Sequence, residues 1–295
     1  MSDSPIGLIG VGLLGTALAE RMLGGGLSVL GYDHRPAQLD QLEQPGGKRV
    51  ASAIDIAKAC ETIVLCLPDS AVVAAVVEQI GTRLRAGMLL IDATTGDPEE
   101  SQSLATRLSS GGVGYVDATL AGSSEQVRRG EATVISGGVP ADIRRAEPVL
   151  ATWSPKRFHV GPPGSGARMK LIVNLVLGLN RAVLAEGLAL ARSCGIEPAA
   201  ALDVLKATPA YSAAMETKGP KMIAREYAPQ AKLAQHAKDV GLIRALAARH
   251  GQTTPLTGVH AELLARAIEL GFGDADNSAV IEAWGGEGGG VRGES

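Results

Sequence analysis

The sequence predicts a doubly wound α/β half followed by an all-helical half. Three observations carry this. Short apolar runs alternate with helical patterns from Ile6 to Ser136. A glycine turn of the form GxGxxG joins the first run to the first helix. Beyond the turn-rich stretch Gly161-Pro162-Pro163-Gly164-Ser165-Gly166, the apolar spacing is that of helices almost to the end. The expected division is residues 1–162 for the α/β part and 163–284 for the helical part, with a glycine-rich, charged tail over 285–295 expected to be disordered. A length of 295 residues fits about two domains.

Composition narrows the class. Apolar residues make up 45% of the chain but aromatics only 3%, so the core material is Ala, Val, Leu and Ile, as in buried parallel strands covered by helices. The net charge is −3 and no basic stripe is interleaved with aromatics, so no nucleic-acid partner is expected. Cys60, Cys66 and Cys194 have no metal-binding spacing and fit a reducing compartment. The start, Met1-Ser2-Asp3-Ser4-Pro5, lacks the basic region of a signal peptide. The apolar run from Leu171 to Leu179 is too short to span a bilayer. A cytoplasmic protein with no membrane partner and no metal is the expectation.

The elements follow in order. Ile6-Gly7-Leu8-Ile9 is a buried strand, and a helix pattern runs from Thr16 to Leu23. Leu27 to Tyr32 is the next strand, closed by Asp33. Val50-Ala51 and Ile54 to Ala59 fit a short strand and helix. Thr62 to Leu67 is a strand stopped by Pro68-Asp69-Ser70, and Ala71 to Ile80 a helix. Met88 to Asp92 is a strand, and Pro98 is placed to open the helix Glu99 to Leu108. Val113 to Asp117 and Ala132 to Ser136 are further strands. Arg168 to Ser193 is apolar on nearly every face, which predicts a central buried helix. Helices are then expected at 199–207, 215–226, 231–249, 259–270 and 277–283.

The first unit is strand, glycine turn, helix, strand and acidic residue, the Rossmann-like pattern of a dinucleotide site. Gly10 permits the tight turn, Gly12 lets backbone approach a pyrophosphate, and Gly15 allows helix and strand to pack closely, with Val11, Leu13 and Leu14 between them. Asp33 can accept from a ribose 2′-hydroxyl and would repel a 2′-phosphate, which favours NAD; His34 and Arg35 can bind that phosphate, so NADP stays open. Ligands of such sheets sit beyond the carboxyl ends of the strands, which places Gly10–Gly15, Asp33, Leu67-Pro68, Thr94-Thr95 and Ala118–Ser124 around one crevice.

Hydride chemistry needs a group that moves a proton. Lys170 lies near the expected boundary, at the start of an apolar helix where partial desolvation suits acid–base work. Asn174, one turn on, shares its face. A snorkelling lysine and a structural asparagine fit the same residues. The five histidines match no metal spacing, and Arg128-Arg129 reads as a solvated turn, with an anion clamp left open.

Several stretches, taken together, resemble the β-hydroxyacid dehydrogenase family, which includes 3-hydroxyisobutyrate dehydrogenase, tartronate semialdehyde reductase and glyoxylate/succinic semialdehyde reductases. They are Gly7 to Gly15, Cys66-Leu67-Pro68-Asp69, Asp92-Ala93-Thr94-Thr95-Gly96-Asp97-Pro98, Gly164 to Asn174, and Lys238-Asp239. The resemblance implies cofactor contacts at Thr95 and Lys238 and catalysis by Lys170 and Asn174. It implies substrate contacts in the segment Asp117-Ala118-Thr119-Leu120-Ala121-Gly122-Ser123-Ser124. There the chain departs from the family's D-A-P-V-S-G-G, because Ala121 stands where the family has serine. Gly122 keeps close backbone approach, and Ser123 or Ser124 can supply the missing hydroxyl.

The expected function is therefore NAD(P)-dependent interconversion of a small 3-hydroxy acid and its semialdehyde, in a homodimer or homotetramer. Reduction of another carbonyl or an imine, and a catalytically silent dinucleotide-binding module, are the rival readings.

Overall fold

The computed structural model describes residues 4–284. The chain forms two compact units, Met1–Lys170 and Leu171–Ser295. The tail expected to be disordered, 285–295, lies outside the described residues.

The first unit alternates strands and helices: β1 (Ile6–Ile9), α1 (Leu13–Gly24), β2 (Val29–Tyr32), α2 (Pro36–Glu43), β3 (Lys48–Arg49), α3 (Ala53–Ala59), β4 (Thr62–Leu65) and α4 (Ser70–Ile80). It continues with β5 (Leu89–Asp92), α5 (Pro98–Ser110), β6 (Gly114–Ala121), α6 (Ser124–Arg128), β7 (Thr133–Gly138), α7 (Pro140–Trp153) and β8 (Lys156–His159). One eight-stranded sheet has the order β3-β2-β1-β4-β5-β6-β7-β8. Every neighbouring pair is parallel except β6 and β7. Alternate residues divide between two cores. Leu8, Val64, Ile91 and Val116 face one side, with α1 and α7. Ile63, Leu65, Leu90 and Tyr115 face the other, with α3, α4 and α5. The sheet order turns between β1 and β4, and such switch points open a crevice beyond the strand ends.

Local chemistry starts the helices. Asp69 accepts from the Val72 N–H at 2.9 Å to cap α4, and Asp97 accepts from the Glu99 N–H at 2.9 Å to cap α5, with Pro98 in the first turn as expected. Four elements were not legible beforehand. In α2 only Leu39 and Leu42 are buried. In α7 an internal Pro148 breaks the helical reading. α6 is five residues long, and β8 is a mixed, mostly exposed edge strand. The strand expected at Val50-Ala51 is instead Lys48–Arg49, set by pairing of Leu30 with Lys48 and Gly31 with Arg49.

The second unit is helical. It is built from α8 (Ser165–Ser193), whose first residues belong to the first unit, α9 (Pro198–Lys206), α10 (Ala213–Ala224), α11 (Leu233–Arg249) and α12 (Pro255–Ala267). A short π-helical segment (Ile268–Phe272) and a 3-10 helix (Asn277–Trp284) close it. Its core is Leu184, Leu188, Leu202, Met222, Leu233, Val240, Leu264 and Val280. Asp276 ties the turns together. It accepts from Lys218 Nζ at 2.8 Å and from the N–H groups of Gln230, Ala231 and Ser278. Burial alone would raise its carboxyl; these donors outweigh burial and hold it at about 2.

α8 is long and apolar enough to cross a membrane by length and composition, although the run Leu171 to Leu179 alone is not. It carries Lys170, Arg181 and Glu186 within that length. The helix was expected to be buried all round. In the single chain it leaves Ile172, Val176, Val183 and Leu190 exposed.

Candidate active site

The glycine turn after β1 is built as its spacing requires. Gly10 has φ +97°, and a Cβ there would meet the Cys66 carbonyl oxygen at 2.2 Å. A Cβ on Gly15 would meet the Gly10 carbonyl oxygen at 2.0 Å, so α1 and the turn close only on glycine. Gly12 differs: nothing lies nearer to its would-be Cβ than Arg35 Nη2, at 3.8 Å. The backbone is thus open on the side a pyrophosphate would approach. Gly12 caps α1 without a side-chain bond, and Leu13 in the first turn is 62% exposed, so the helix N-terminus faces outward with its N–H groups and partial positive charge. These residues fit a dinucleotide.

Asp33 ends β2 and is held by its neighbours. Its Oδ2 accepts from the Val11 N–H at 2.9 Å, and its Oδ1 from the Arg35 N–H at 2.8 Å, with Arg35 Nε at 3.4 Å. Burial would raise this carboxyl, but the two backbone donors and then the guanidinium outweigh it, so Asp33 titrates below the usual carboxylate range. His34 Nδ1 lies 3.4 Å from Oδ1 on an exposed ring.

After β4, the Leu67 N–H donates to Thr94 Oγ1 at 3.1 Å, which joins the Leu67-Pro68 turn to the end of β5. Asp92 holds this corner, accepting from the Thr94 N–H and the Tyr115 hydroxyl, each at 2.9 Å. Leu67 and Thr95 are half-buried and Pro68 is exposed.

The segment from Asp117 is not a loop throughout. β6 continues to Ala121, paired with β7 from Val116↔Gly138 to Ala121↔Thr133. Gly122 follows with φ +148°. Ser123 then caps α6: its Oγ accepts from the Gln126 N–H at 3.2 Å, while Gln126 Oε1 accepts from the Ser123 N–H at 2.8 Å. One acceptor of the Ser123 hydroxyl is thereby in use and its O–H remains a donor. Ser124 is half-buried in the first turn of α6.

Asp117 does something the sequence did not announce. Its Oδ1 accepts from the Gly164 N–H and its Oδ2 from the Ala167 N–H, both at 2.8 Å, so it anchors the start of α8. A Cβ on Gly166 would meet the Asp117 carbonyl oxygen at 2.7 Å and the Gly137 nitrogen at 2.8 Å, a packing that only glycine permits. Burial pushes the Asp117 carboxyl up to about 6 against the two N–H donors. Lys170 follows on this anchored helix, 8% exposed.

In the second unit Asn174 is 9% exposed, and its Nδ2 donates to Asp239 Oδ2 at 2.9 Å. A carboxylate can only accept, so the Asn174 amide oxygen must turn the other way. Lys238 Nζ lies 3.8 Å from Asp239 Oδ1. Asp239 was legible only as the neighbour of Lys238. Two of the five histidines, His236 and His260, prove to be paired, with ring centroids 5.2 Å apart. Their spacing across α11 and α12 carries no local signal.

Comparison with known proteins gives the family. The family model described as the NAD binding domain of 6-phosphogluconate dehydrogenase matches residues 5–161. The one described as the NAD-binding of NADP-dependent 3-hydroxyisobutyrate dehydrogenase matches residues 164–284. A 2-(hydroxymethyl)glutarate dehydrogenase of Eubacterium barkeri is 29% identical over 95% of this chain and 94% of its own length. Glyoxylate/succinic semialdehyde reductase 1 of Arabidopsis thaliana is 29% identical over 94% of this chain and 97% of its own length. The solved 3-hydroxyisobutyrate dehydrogenase from Salmonella typhimurium superposes with a TM-score of 0.87 at 27% identity, covering 95% of this chain and 99% of its own. The class is thus that of nicotinamide-dependent oxidoreductases. Within it, the chain belongs to the β-hydroxyacid dehydrogenase family.

Proposed function

We propose that this enzyme interconverts a small 3-hydroxy acid and its semialdehyde, or a closely related alcohol and carbonyl pair, with Lys170 moving the hydroxyl proton. The observation that carries this reading is the buried Lys170 four residues ahead of a buried Asn174 on one helix, the asparagine amide oriented by Asp239. Relatives named for a hydroxymethyl acid and a semialdehyde support the substrate class.

When bound, the nicotinamide supplies or accepts the hydride. Gly10 to Gly15 with Val11, Leu13 and Leu14 would take the pyrophosphate, and Asp33, His34 and Arg35 the adenosine ribose. Leu67, Pro68, Thr95 and Lys238 complete the cofactor contacts. In reduction the Lys170 ammonium donates a proton from Nζ to the carbonyl oxygen; in oxidation the neutral amine accepts it. The Asn174 oxygen accepts from the reacting hydroxyl or from Nζ and orients the two. The Gly122 N–H, the Ser123 O–H and the Ser124 hydroxyl hold the far end of the substrate beside Ala121. Asp33 favours NAD, and Arg35 leaves NADP usable. A homodimer or homotetramer in the cytoplasm completes the reading.

Ala121 in place of serine favours one rival, a reductase of another carbonyl or an imine; Lys170 weighs against the imine version.

Lys170→Ala should lower turnover by about 10²–10⁴-fold while NAD(H) binding, followed by fluorescence titration, is retained. Near-normal turnover in that variant would sink the assignment. A screen of NADH and NADPH oxidation against small semialdehydes and ketones identifies the substrate. Tight cofactor binding without any oxidation would favour the silent module.

A further inference from the structure

Strand β6 meets the start of α8. Asp117, Thr119 and Ala121 fall on one face of the strand, because successive side chains of a strand alternate. Asp117 Oδ1 accepts from the Gly164 N–H and Oδ2 from the Ala167 N–H, each at 2.8 Å, across 47 and 50 residues of chain. Thr119 Oγ1 lies 3.4 Å from the Gly166 carbonyl oxygen. Ala121, next on the same face, ends β6 at the segment proposed to take the substrate. Lys170 stands one turn past Ala167 on α8.

The carboxylate sits in a socket of glycines. A Cβ on Gly137, opposite Asp117 on β7, would meet Asp117 Oδ1 at 2.7 Å, and one on Gly166 would meet Oδ2 at 2.8 Å. Gly164 takes φ +87°, and a Cβ there would meet the Pro98 carbonyl oxygen of α5 at 2.7 Å. Asp117 is 2% exposed, so backbone N–H groups rather than solvent carry its charge. The Ser123 cap serves only its own helix, whereas this carboxylate ties a helix to a strand.

We propose that Asp117 is a positioning residue for the reaction: by holding the start of α8 to β6, its carboxylate sets Lys170 in register with the substrate segment that continues from the same strand. The inference rests on the assignment of Lys170 above. Two N–H donors need an acceptor at both oxygens. Protonation places an O–H on one of them and replaces a charged acceptor by a weaker neutral one. Burial pushes the carboxyl up to about 6 against its N–H donors, and the Asp92 carboxylate adds to the push. The anchor is therefore charged at neutral pH and discharged in mildly acidic solution.

The charged and titratable neighbours on this side enter the test. β5 contributes Asp92, in register with Asp117, and β6 contributes Tyr115, whose hydroxyl donates to Asp92 at 2.9 Å. α8 contributes Arg168 and Lys170, and α5 contributes Glu99, 3.4 Å from Arg168. His159 of β8 brings Nε2 to 2.8 Å from the Gly161 carbonyl oxygen and 3.0 Å from that of Gly138.

The test is read on the full chain in the reductive direction at saturating cofactor. There the need for a protonated Lys170 limits the alkaline side and leaves the acid side to Asp117. In the parent, the Gly164 and Ala167 amide protons, followed by NMR, should titrate together with a midpoint of about 6, and kcat should fall with that midpoint. Asp117→Asn satisfies only one of the two N–H groups. It should lower kcat by about 10–100-fold, keep NAD(H) affinity and lose the acid limb. Combined with Lys170→Ala it should add no further loss, because both changes act through one group.

Amide protons that stay unmoved as pH falls through the acid limb overturn the role of Asp117, and this readout decides alone if Asp117→Asn does not fold. A kcat loss that is uniform across pH also overturns it, as does NAD(H) affinity that falls together with kcat. So does a double variant slower than Lys170→Ala by the full Asp117→Asn factor. If His159→Gln or Asp92→Asn removes the acid limb while Asp117→Asn leaves it, the limb belongs to that group and the proposal fails. Each of these outcomes leaves the dehydrogenase reading standing. Near-normal turnover in Lys170→Ala, or no turnover with any substrate in the wild-type chain, sinks that reading and this role with it.

Discussion

Asp33 sets the local charge at the end of β2, and its hold on Arg35 decides what a 2′-phosphate would meet. Both oxygens are engaged by the Val11 and Arg35 N–H groups and Arg35 is drawn toward the carboxylate, which on the proposed reading would repel a 2′-phosphate. Asp33→Ala should lower the ratio of kcat/KM for NAD over NADP by about tenfold, equivalent to about 1.4 kcal/mol. Steady-state kinetics with the two cofactors measures this, and an unchanged ratio would remove Asp33 from cofactor choice. At this scale the sequence was informative where chemistry follows chain order. The glycine turn and the place of Asp33 at the end of β2 could be read in advance. The bond from Asn174 to Asp239 and the pairing of the two imidazoles could not be read, because they depend on which helices face each other.

Helices α8, α11 and α12 show how an element carries function through its packing. His260 is buried against Gly178, with its pKa pushed down to about 4 by burial first and Arg181 second. In the unfolded chain an ordinary histidine titrates near 6.5. The unfolded state therefore binds more protons between about pH 6.5 and 4. The stability contributed by neutral His260 is fully present above that window and lost as pH falls through it, by about 3 kcal/mol. Urea melts from pH 7 to 4 should show this slope in the parent and a shallower one in His260→Gln. Equal slopes would assign the acid lability elsewhere. The elements that escaped reading share a cause. α7 contains Pro148, α2 buries two leucines only, and β8 is an exposed edge strand, so in each the local pattern is weak and neighbours supply the stability. β6 outran its expected end because β7 pairs with it as far as Ala121.

For the whole molecule, the exposed face of α8 points to more than one copy of the chain. Ile172, Val176, Val183 and Leu190 fall within about 40° of each other and on the opposite side of the helix from Lys170 and Asn174. A seven-residue interval links Val176, Val183 and Leu190, the spacing of a helix–helix seam. Light scattering after size exclusion should find a dimer or tetramer. Val176→Glu with Val183→Glu should shift it to monomer without loss of helical content. A monomeric parent would sink the reading.

The sequence by itself determined the doubly wound sheet, the dinucleotide turn and the helical second half. These rest on periodicity and on residues close in the chain, where propensity and spacing act directly. Only the tertiary structure decided that Asp117 anchors α8, that Ser123 caps α6, and that Asn174 donates to Asp239. The physical reason is that a buried polar group takes its role from the partner that satisfies it, and these partners lie on different elements brought together by burial of apolar surface.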